Sequence, residues 1–244
     1  GLGLEDGGTH LRRLGGQGTR RLVARADQRM GAHEARQYGD DPDRAFGQRQ
    51  ALTQPRQEGG EARLGRAIDV VARAAAQTVV PNGARLCAAA RVAGTAVVHC
   101  VAGRRPDDRG SNSNARLFGA VLKAPVVPLL GTAATEVIDD FAQADSDLVL
   151  SRIHGLSPMA GTDLDPVLRN LGVSTIVVIG VSVNVAITNL VMDAVNNGYQ
   201  TVLVRDAVAG VPASYADAVI DNTLALLATV VTTDELVGYW RSAR

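Results

Sequence analysis

The sequence has few aromatic residues, few cysteines and almost no lysine. Aromatic residues make up 3% of the 244 residues and hydrophobic residues 46%, so an aliphatic core is expected. The two cysteines, Cys87 and Cys100, show neither metal-ligand spacing nor a disulfide framework, which predicts packed thiols in a reducing compartment. Lys123 is the only lysine among 25 basic residues, a bias that we attribute to genomic base composition.

Excess charge and long apolar runs are also absent. The 25 basic and 25 acidic residues give a formal net charge of zero, so nothing favours nucleic acid or an anionic membrane as a partner. No apolar run is long enough to span a bilayer, and the first residues lack the core of a signal peptide. These absences predict a cytoplasmic protein that binds neither nucleic acid nor membrane.

Residues 1–66 differ in composition from the rest of the chain. They hold 12 arginines and half of all glycines, and their apolar residues follow neither the strand period nor the helix period. Only the tripeptides at 22–24 and 51–53 have strand-like composition, and both are too short to predict a strand. We therefore predict a low-order N-terminal segment, disordered or read in a mis-assigned frame, followed by one domain over 67–244. A basic binding arm is the alternative, but no aromatic interleaving supports it.

One stretch, residues 175–198, organises the domain. Its first part, 175–181, is a run of β-branched apolar residues, which is typical of a parallel strand buried on both faces. From Val183 the apolar residues recur at helical spacing, Asn184 is placed to cap the helix, and Gly198 follows its last turn. Ligands of open α/β sheets bind at such a turn, where the first helical amides carry a partial positive charge. We therefore expect the functional site there.

Further strands alternate with helical segments on both sides of this stretch. The alternation predicts right-handed crossovers and a mostly parallel, doubly wound sheet. The predicted strands span 95–101, 147–152, 175–181, 200–204 and 229–232, and the predicted helical segments begin near 68, 82, 163, 184, 219 and 234.

Several catalytic motifs are missing. Gly180 is followed by no second or third glycine, which argues against a dinucleotide fingerprint, and there is no P-loop. Ser182 lacks the flanking glycines of a nucleophile elbow, so a turn hydroxyl is favoured over a catalytic serine. The polar loop 103–114 is either a pocket wall or, as its composition favours, a solvated charge cluster. His99, inside an apolar strand, is expected in the core, whereas His154 follows a strand end and is compatible with either core or pocket.

Four motifs carry a family resemblance: Ile179-Gly-Val-Ser-Val-Asn-Val-Ala186, Gly161-Thr-Asp-Leu164, Leu171-Gly-Val173 and Gly198-Tyr-Gln-Thr-Val-Leu-Val-Arg-Asp206. Together they resemble the isochorismatase-like (cysteine hydrolase) superfamily. The resemblance implies a three-layer α/β/α fold around a central parallel sheet, dimers or larger oligomers, and a cis peptide at Val181–Ser182. Typical members carry a catalytic Asp at the end of the first strand, a Lys after a middle strand and a Cys at the helix start. They hydrolyse amides through a thioester, whereas a smaller branch without the thiol cleaves a vinyl ether with the Asp as acid.

Three positions depart from the family pattern when the resemblance is carried over residue by residue. The nucleophile position holds Ala186, so thioester chemistry has no attacking group there. The Lys position falls on Arg152 or Ile153, and an arginine keeps the positive charge but stays protonated. The acid position is matched by Pro55 in one alignment and by Asp27, with poorer spacing, in another.

These departures predict an isochorismatase-like protein without a thiol nucleophile. It is expected to bind a small carboxylate- or amide-type metabolite, or to hydrolyse it non-covalently as the vinyl-ether branch does. No metal and no cofactor are expected, because the loop where metal-binding relatives carry Asp and His reads Gly103-Arg-Arg-Pro106. We further expect a homo-oligomer, and the alternative is a catalytically inactive structural or regulatory subunit with a vestigial pocket. The predicted ligand-binding residues are Arg152, His154, Ser182, Asn184 and the main-chain amide of Ala186.

Overall fold

The computed structural model describes residues 20–27, 75–124 and 126–243. In these ranges six strands form one sheet in which every pair of neighbours is parallel. The strands are β1 (Arg20–Asp27), β2 (Ala96–Ala102), β3 (Leu148–Arg152), β4 (Val173–Val181), β5 (Gln200–Ala209) and β6 (Thr229–Val231). Their order across the sheet is β3-β2-β1-β4-β5-β6, so the predicted parallel, doubly wound sheet is confirmed.

Helices cover both faces of this sheet. None of the helices in the described ranges is long and apolar enough to cross a membrane. A π-helical turn precedes two of them, at Ala75–Val79 before α1 and at Val183–Ile187 before α4. The helices are α1 (Val80–Val92), α2 (Arg116–Leu122), α3 (Leu164–Asn170), α4 (Thr188–Asn196), α5 (Ala213–Asn222) and α6 (Thr233–Ser242).

Two apolar cores fill the space between the helices and the sheet, because successive residues of a strand point to opposite faces. On the first face α3, α4 and α5 pack against β4, and this core includes Leu168, Leu190, Ile220, Ile176 and Val178. On the second face α1 and α6 pack against the sheet, and this core includes Leu86, Phe141, Trp240, Val177 and Ile179. We call these sides the α4 face and the α1 face. The fold is therefore three-layered α/β/α, as the resemblance implied.

Strand β1 lies within residues 1–66, where the composition predicted no strand. Its eight residues pair in parallel with β2 on one side and β4 on the other, which puts it in the middle of the sheet. The expectation that residues 20–27 belong to a low-order segment is thus wrong, because the strand is held by its neighbours rather than by its own apolar pattern. The boundary at 66/67 stays a prediction, and Pro55, the other candidate for the acid position, lies outside the described residues.

The strand register fixes which residues meet at the carboxyl edge of the sheet. Ala26 pairs with Cys100 on β2 and with Gly180 on β4, so these three residues form one row across the sheet. Ala102 pairs with Arg152 on β3, one pleat further along. Asp27 is the last residue of β1 and therefore ends at the same edge as Arg152.

Candidate functional site

A sharp turn links β4 to the helix that follows it. The peptide bond Val181–Ser182 is cis, which confirms the expectation drawn from the resemblance. Ser182 stands at the N-cap position, and its carbonyl accepts hydrogen bonds from the N–H groups of Val185 and Ile187, at 3.2 and 3.1 Å. The helix therefore begins at Val183 with a wide π-helical turn, at the carboxyl end of an inner strand.

Asn184 does not cap this helix, and that part of the sequence-based prediction is wrong. Its side-chain Nδ2 donates to the carbonyl of Val211 at 2.6 Å, and its Oδ1 accepts from the N–H of Val211 at 2.8 Å. The side chain thus pairs with the main chain of the loop after β5, as a strand neighbour would. A helix cap is a local interaction, whereas the Asn184 side chain is instead hydrogen-bonded to Val211, 27 residues away along the chain.

Ala186 lies in the π-helical turn and is 5% exposed. Its methyl group belongs to the core of the α4 face and offers no nucleophile. The first amides of a helix sit at the positive end of the helix dipole, and in this turn those of Val185 and Ile187 already donate to the Ser182 carbonyl, which leaves the others to bind an anion. The chemistry available at this turn is therefore stabilisation of negative charge by backbone N–H groups.

Arg152 ends β3 with a half-buried guanidinium that no carboxylate of the described chain neutralises. Its Nε donates to the carbonyl of Ser157 at 3.1 Å, and its Nη2 makes a longer contact of 3.4 Å with the carbonyl of Leu156. Burial lowers the pKa of Arg152, and the nearby Cys100 thiol acts in the opposite direction. Because buried cations are normally paired with an anion, this side chain is suited to bind one from outside the chain.

Two other arginines of this fold form ion pairs with carboxylates and can be compared with Arg152. Arg91 donates to both carboxylate oxygens of Asp147, at 3.0 and 2.6 Å, and Arg104 donates to Asp108 at 2.6 Å. Arg104 is itself 6% exposed, so its charge is buried and satisfied within the loop 103–114. Arg152 differs from both because its hydrogen bonds go to neutral carbonyl groups.

Cys100 is a neighbour of Arg152 that the sequence did not connect with the site. It is a buried thiol, as predicted, and lies on the α4 face next to Leu150. Two residues beyond this pair, Ala102 and Arg152 are also in register, so the side chains of Cys100 and Arg152 share a face. Only the strand register brings these two residues together, because they are far apart along the chain.

His154 lies in the loop after β3 and is exposed. Its ring packs over Gly161, where an added Cβ would stand 3.4 Å from the ring carbon Cε1. The next residue, Gly155, donates its N–H to Oδ1 of Asn112 at 2.7 Å. This bond ties the loop 103–114 to the loop that carries His154, beyond the carboxyl end of β3.

The structure does not bring all predicted site residues into contact. Two strands, β2 and β1, separate Arg152 at the end of β3 from Ser182 after β4. At a strand spacing of 4.7–4.9 Å, this puts the two backbones about 14 Å apart. Arg152 and His154 therefore form one side of the edge, Ser182 and Ala186 the other, and Asp27 at the end of β1 lies between them in the strand order.

His99 is a core residue, as predicted. It is fully buried on β2, and its Nε2 lies 3.0 Å from Oδ2 of Asp147. In the described ranges no group of three or more His, Cys, Asp and Glu side chains is placed to hold a metal ion.

Comparison with known proteins agrees with this geometry. A family model described as the isochorismatase domain matches residues 68–235. A cysteine hydrolase from Pseudomonas syringae pv. phaseolicola 1448A has a TM-score of 0.63 and 25% identity over 70% of this chain and 83% of that one. An isochorismatase family protein from Desulfovibrio vulgaris subsp. vulgaris str. Hildenborough has a TM-score of 0.59 and 28% identity over 68% and 85% of the two chains.

N-carbamoylsarcosine amidase from Thermoplasma acidophilum shares the fold, with a TM-score of 0.58 and 22% identity over 88% of this chain and 98% of that one. No curated protein matches the chain. The family match spans more than half of the sequence and includes the β4 turn, Arg152 and Ala186. The chain therefore belongs to the isochorismatase family of hydrolases.

Proposed function

We propose that this protein binds a small organic carboxylate at the carboxyl edge of the sheet and hydrolyses it without a thioester intermediate. The observation that carries the proposal is the half-buried Arg152 guanidinium, which has no carboxylate partner in the described chain. The helix start at Val183 supports it, because backbone amides there can stabilise a second negative centre. Ala186 argues against the amidase route, since a methyl group cannot be acylated.

Asp27 is the residue that we propose as the general acid. It ends β1 between β2 and β4, which is the place where the resemblance puts the family's catalytic Asp. In a vinyl-ether hydrolysis the acid gives its proton to the terminal vinyl carbon, and water adds to the oxocarbenium carbon that results. The hemiketal then collapses to a ketone and an alcohol, and the proton released by the water restores the acid.

The test is to incubate the purified protein with isochorismate, nicotinamide and a carbamoyl amide. We expect pyruvate release from the vinyl ether and no ammonia from either amide. Asp27→Asn is expected to abolish pyruvate release, whereas Asp217→Asn, on α5 and in an exposed ion pair with Arg205, leaves it unchanged. Turnover of an amide that is lost on changing Arg152 would contradict the proposal.

Ala186→Cys provides a second test of the same site. The change places a thiol at the helix start and alters nothing else. An amidase activity that appears only in this variant would show that the remaining groups of the site can support amide hydrolysis. An Ala186→Cys variant that binds carboxylates but hydrolyses no amide would show that a sulfur at this position alone does not restore the amidase route.

A structural or regulatory subunit is the second candidate function. Large apolar side chains stay exposed on the outer side of the helix layer, with exposed fractions of 40% for Met192, 53% for Tyr215 and 82% for Leu226. Such side chains favour burial against a partner, and a homo-oligomer is the partner that we propose. Leu226→Ser is expected to weaken self-association in sedimentation experiments. A protein that is oligomeric but binds neither isochorismate nor benzoate would favour this candidate.

A further inference from the structure

We infer that Arg152 recognises the ligand carboxylate through the Nη1–Nη2 edge of its guanidinium, and that Ser157 is the positioning residue that presents this edge. The inference deepens the proposed function and rests on it. It assigns the ligand class as a planar carboxylate that accepts two parallel hydrogen bonds, in preference to a neutral amide.

Ser157 builds the loop that holds the guanidinium. It is 4% exposed, and its Oγ accepts hydrogen bonds from the N–H groups of Met159 and Ala160, at 3.1 and 3.4 Å. This tight turn fixes the direction of the Ser157 carbonyl, which accepts from Arg152 Nε at 3.1 Å. The hydroxyl of Ser157 therefore acts on Arg152 through the main chain and does not need to touch the ligand.

The hydrogen bonds to Arg152 leave a defined set of donors free. A guanidinium has five N–H groups in a planar fork. The carbonyl groups of Ser157 and Leu156 take the Nε proton and one Nη2 proton, which together form one edge of the plane. The protons that remain, on Nη1 and the outer side of Nη2, form a second edge that can grip both oxygens of a carboxylate.

Arg91 provides an internal comparison. It uses its Nε–Nη2 edge to bind both oxygens of Asp147. In Arg152 neutral carbonyl groups occupy that same edge, so the positive charge is retained and the Nη1–Nη2 edge is left for a ligand. An ammonium at this position would carry the charge but not the fork, and a neutral amide ligand would offer one acceptor in place of two.

The experiment measures binding of benzoate and of its neutral analogue benzamide by calorimetry at low salt. Wild type is expected to bind benzoate at least about tenfold more tightly than benzamide. Arg152→Lys is expected to weaken benzoate binding about tenfold although it keeps the charge, and Arg152→Met to remove the preference for benzoate. Arg241→Met, on the exposed side of α6, is the matched control and leaves both affinities unchanged.

The role of Ser157 is tested separately with Ser157→Ala, Ser157→Thr and the exposed control Ser174→Ala. Loss of the hydroxyl is expected to lower benzoate affinity several-fold and to speed hydrogen exchange at Arg152 Nε, which NMR observes without any ligand. The threonine variant is expected to recover part of both effects. A variant that loses stability but keeps the slow Nε exchange would overturn the positioning role.

The outcomes separate this inference from the proposed function. If wild type binds benzoate but Arg152→Lys binds it equally well, charge alone is recognised and the edge assignment is wrong. If benzamide binds as tightly as benzoate, the assignment of the ligand class is wrong. If wild type binds no carboxylate and hydrolyses no vinyl ether, the proposed function fails and this inference fails with it.

Discussion

Replacing Asp147 by Asn is expected to destabilise the fold strongly, although the residue lies outside the candidate site. The Asp147 side chain is 1% exposed and joins three elements of the α1 face. It accepts two hydrogen bonds from Arg91 on α1, one from the N–H of Ala144 at 3.3 Å, and lies within hydrogen-bonding distance of His99 on β2. The substitution keeps the shape but removes the charge and turns one acceptor into a donor.

The expected loss of unfolding free energy depends on the Arg91 charge, which stays in place after its partner is removed. Breaking a buried ion pair by removing one partner costs about 3–5 kcal/mol, because the remaining charge stays buried without compensation. The Arg91 side chain is 19% exposed, so water can partly solvate it, and we expect a loss at the low end of that range, about 3 kcal/mol. Asp234→Asn is the matched control, because that side chain is 82% exposed in its pair with Arg85, and we expect a change within about 0.5 kcal/mol.

The assay is urea unfolding followed by the fluorescence of Trp240, the only tryptophan of the chain, which is 4% exposed. The pH dependence gives a second readout. Burial raises the pKa of the Asp147 carboxyl, but the hydrogen bonds from Arg91 and His99 outweigh this effect and hold the pKa below its ordinary value. The stability that the carboxylate contributes is therefore fully present above about pH 4 and is lost as the pH falls through the lowered pKa.

The difference in unfolding free energy between wild type and Asp147→Asn should accordingly be largest near neutral pH and shrink as the solution is acidified. A loss below 1 kcal/mol at pH 7, or a difference that stays constant down to pH 2, would refute the claim that this carboxylate clamps α1 to the sheet.

Three further predictions concern the effect of single substitutions on the stability of the fold. Gly210→Ala is expected to cost about 1–3 kcal/mol in thermal unfolding, because the new Cβ would overlap Oδ1 of Asn184; a neutral result would show that the loop can shift. Asp206→Ala is expected to cost about 1–3 kcal/mol and to shift the Trp240 emission, because its Oδ1 accepts both the N–H and the hydroxyl of the residue that begins α6; an unchanged spectrum would contradict this. Gly238→Ala is expected to stabilise the protein by about 0.5–1 kcal/mol, since the position is inside a helix and no atom from outside that helix lies within 4 Å of the new Cβ; a lower melting temperature would count against it.

The strands β2 to β6 could be predicted from the sequence because apolar and β-branched runs mark them directly. The predicted strand 175–181 became Val173–Val181, and the predicted strand 200–204 extends to Ala209. β1 could not be predicted in this way, since Arg-Arg-Leu-Val-Ala-Arg-Ala-Asp is neither an apolar run nor a clean alternation. Its pairing with two neighbouring strands is a long-range effect that local composition does not encode.

The same distinction applies to the candidate site: local sequence points to some of its residues, whereas contacts between distant residues do not show in the sequence. Arg152 could be proposed for the site from the sequence because it ends a predicted strand and matches a charged family position. The contacts of Ser157, Cys100 and Asn184 could not be predicted, because each depends on a loop conformation, a strand register or a main-chain partner that is distant in sequence. Local sequence patterns therefore predict the carboxyl edge of the sheet, whereas the contacts that orient its side chains are visible only in the folded structure.

The place of β1 has a consequence for any shortened form of this protein. A chain that began at residue 68, where the family match begins, would lack β1, the strand that lies between β2 and β4 in the described sheet. It would be left with two half-sheets, β3-β2 and β4-β5-β6, each with a bare row of backbone N–H and C=O groups facing the gap. Unpaired strand edges can form hydrogen bonds with strands of other molecules. The truncated chain is therefore expected to aggregate unless residues 20–27 are supplied as a separate peptide.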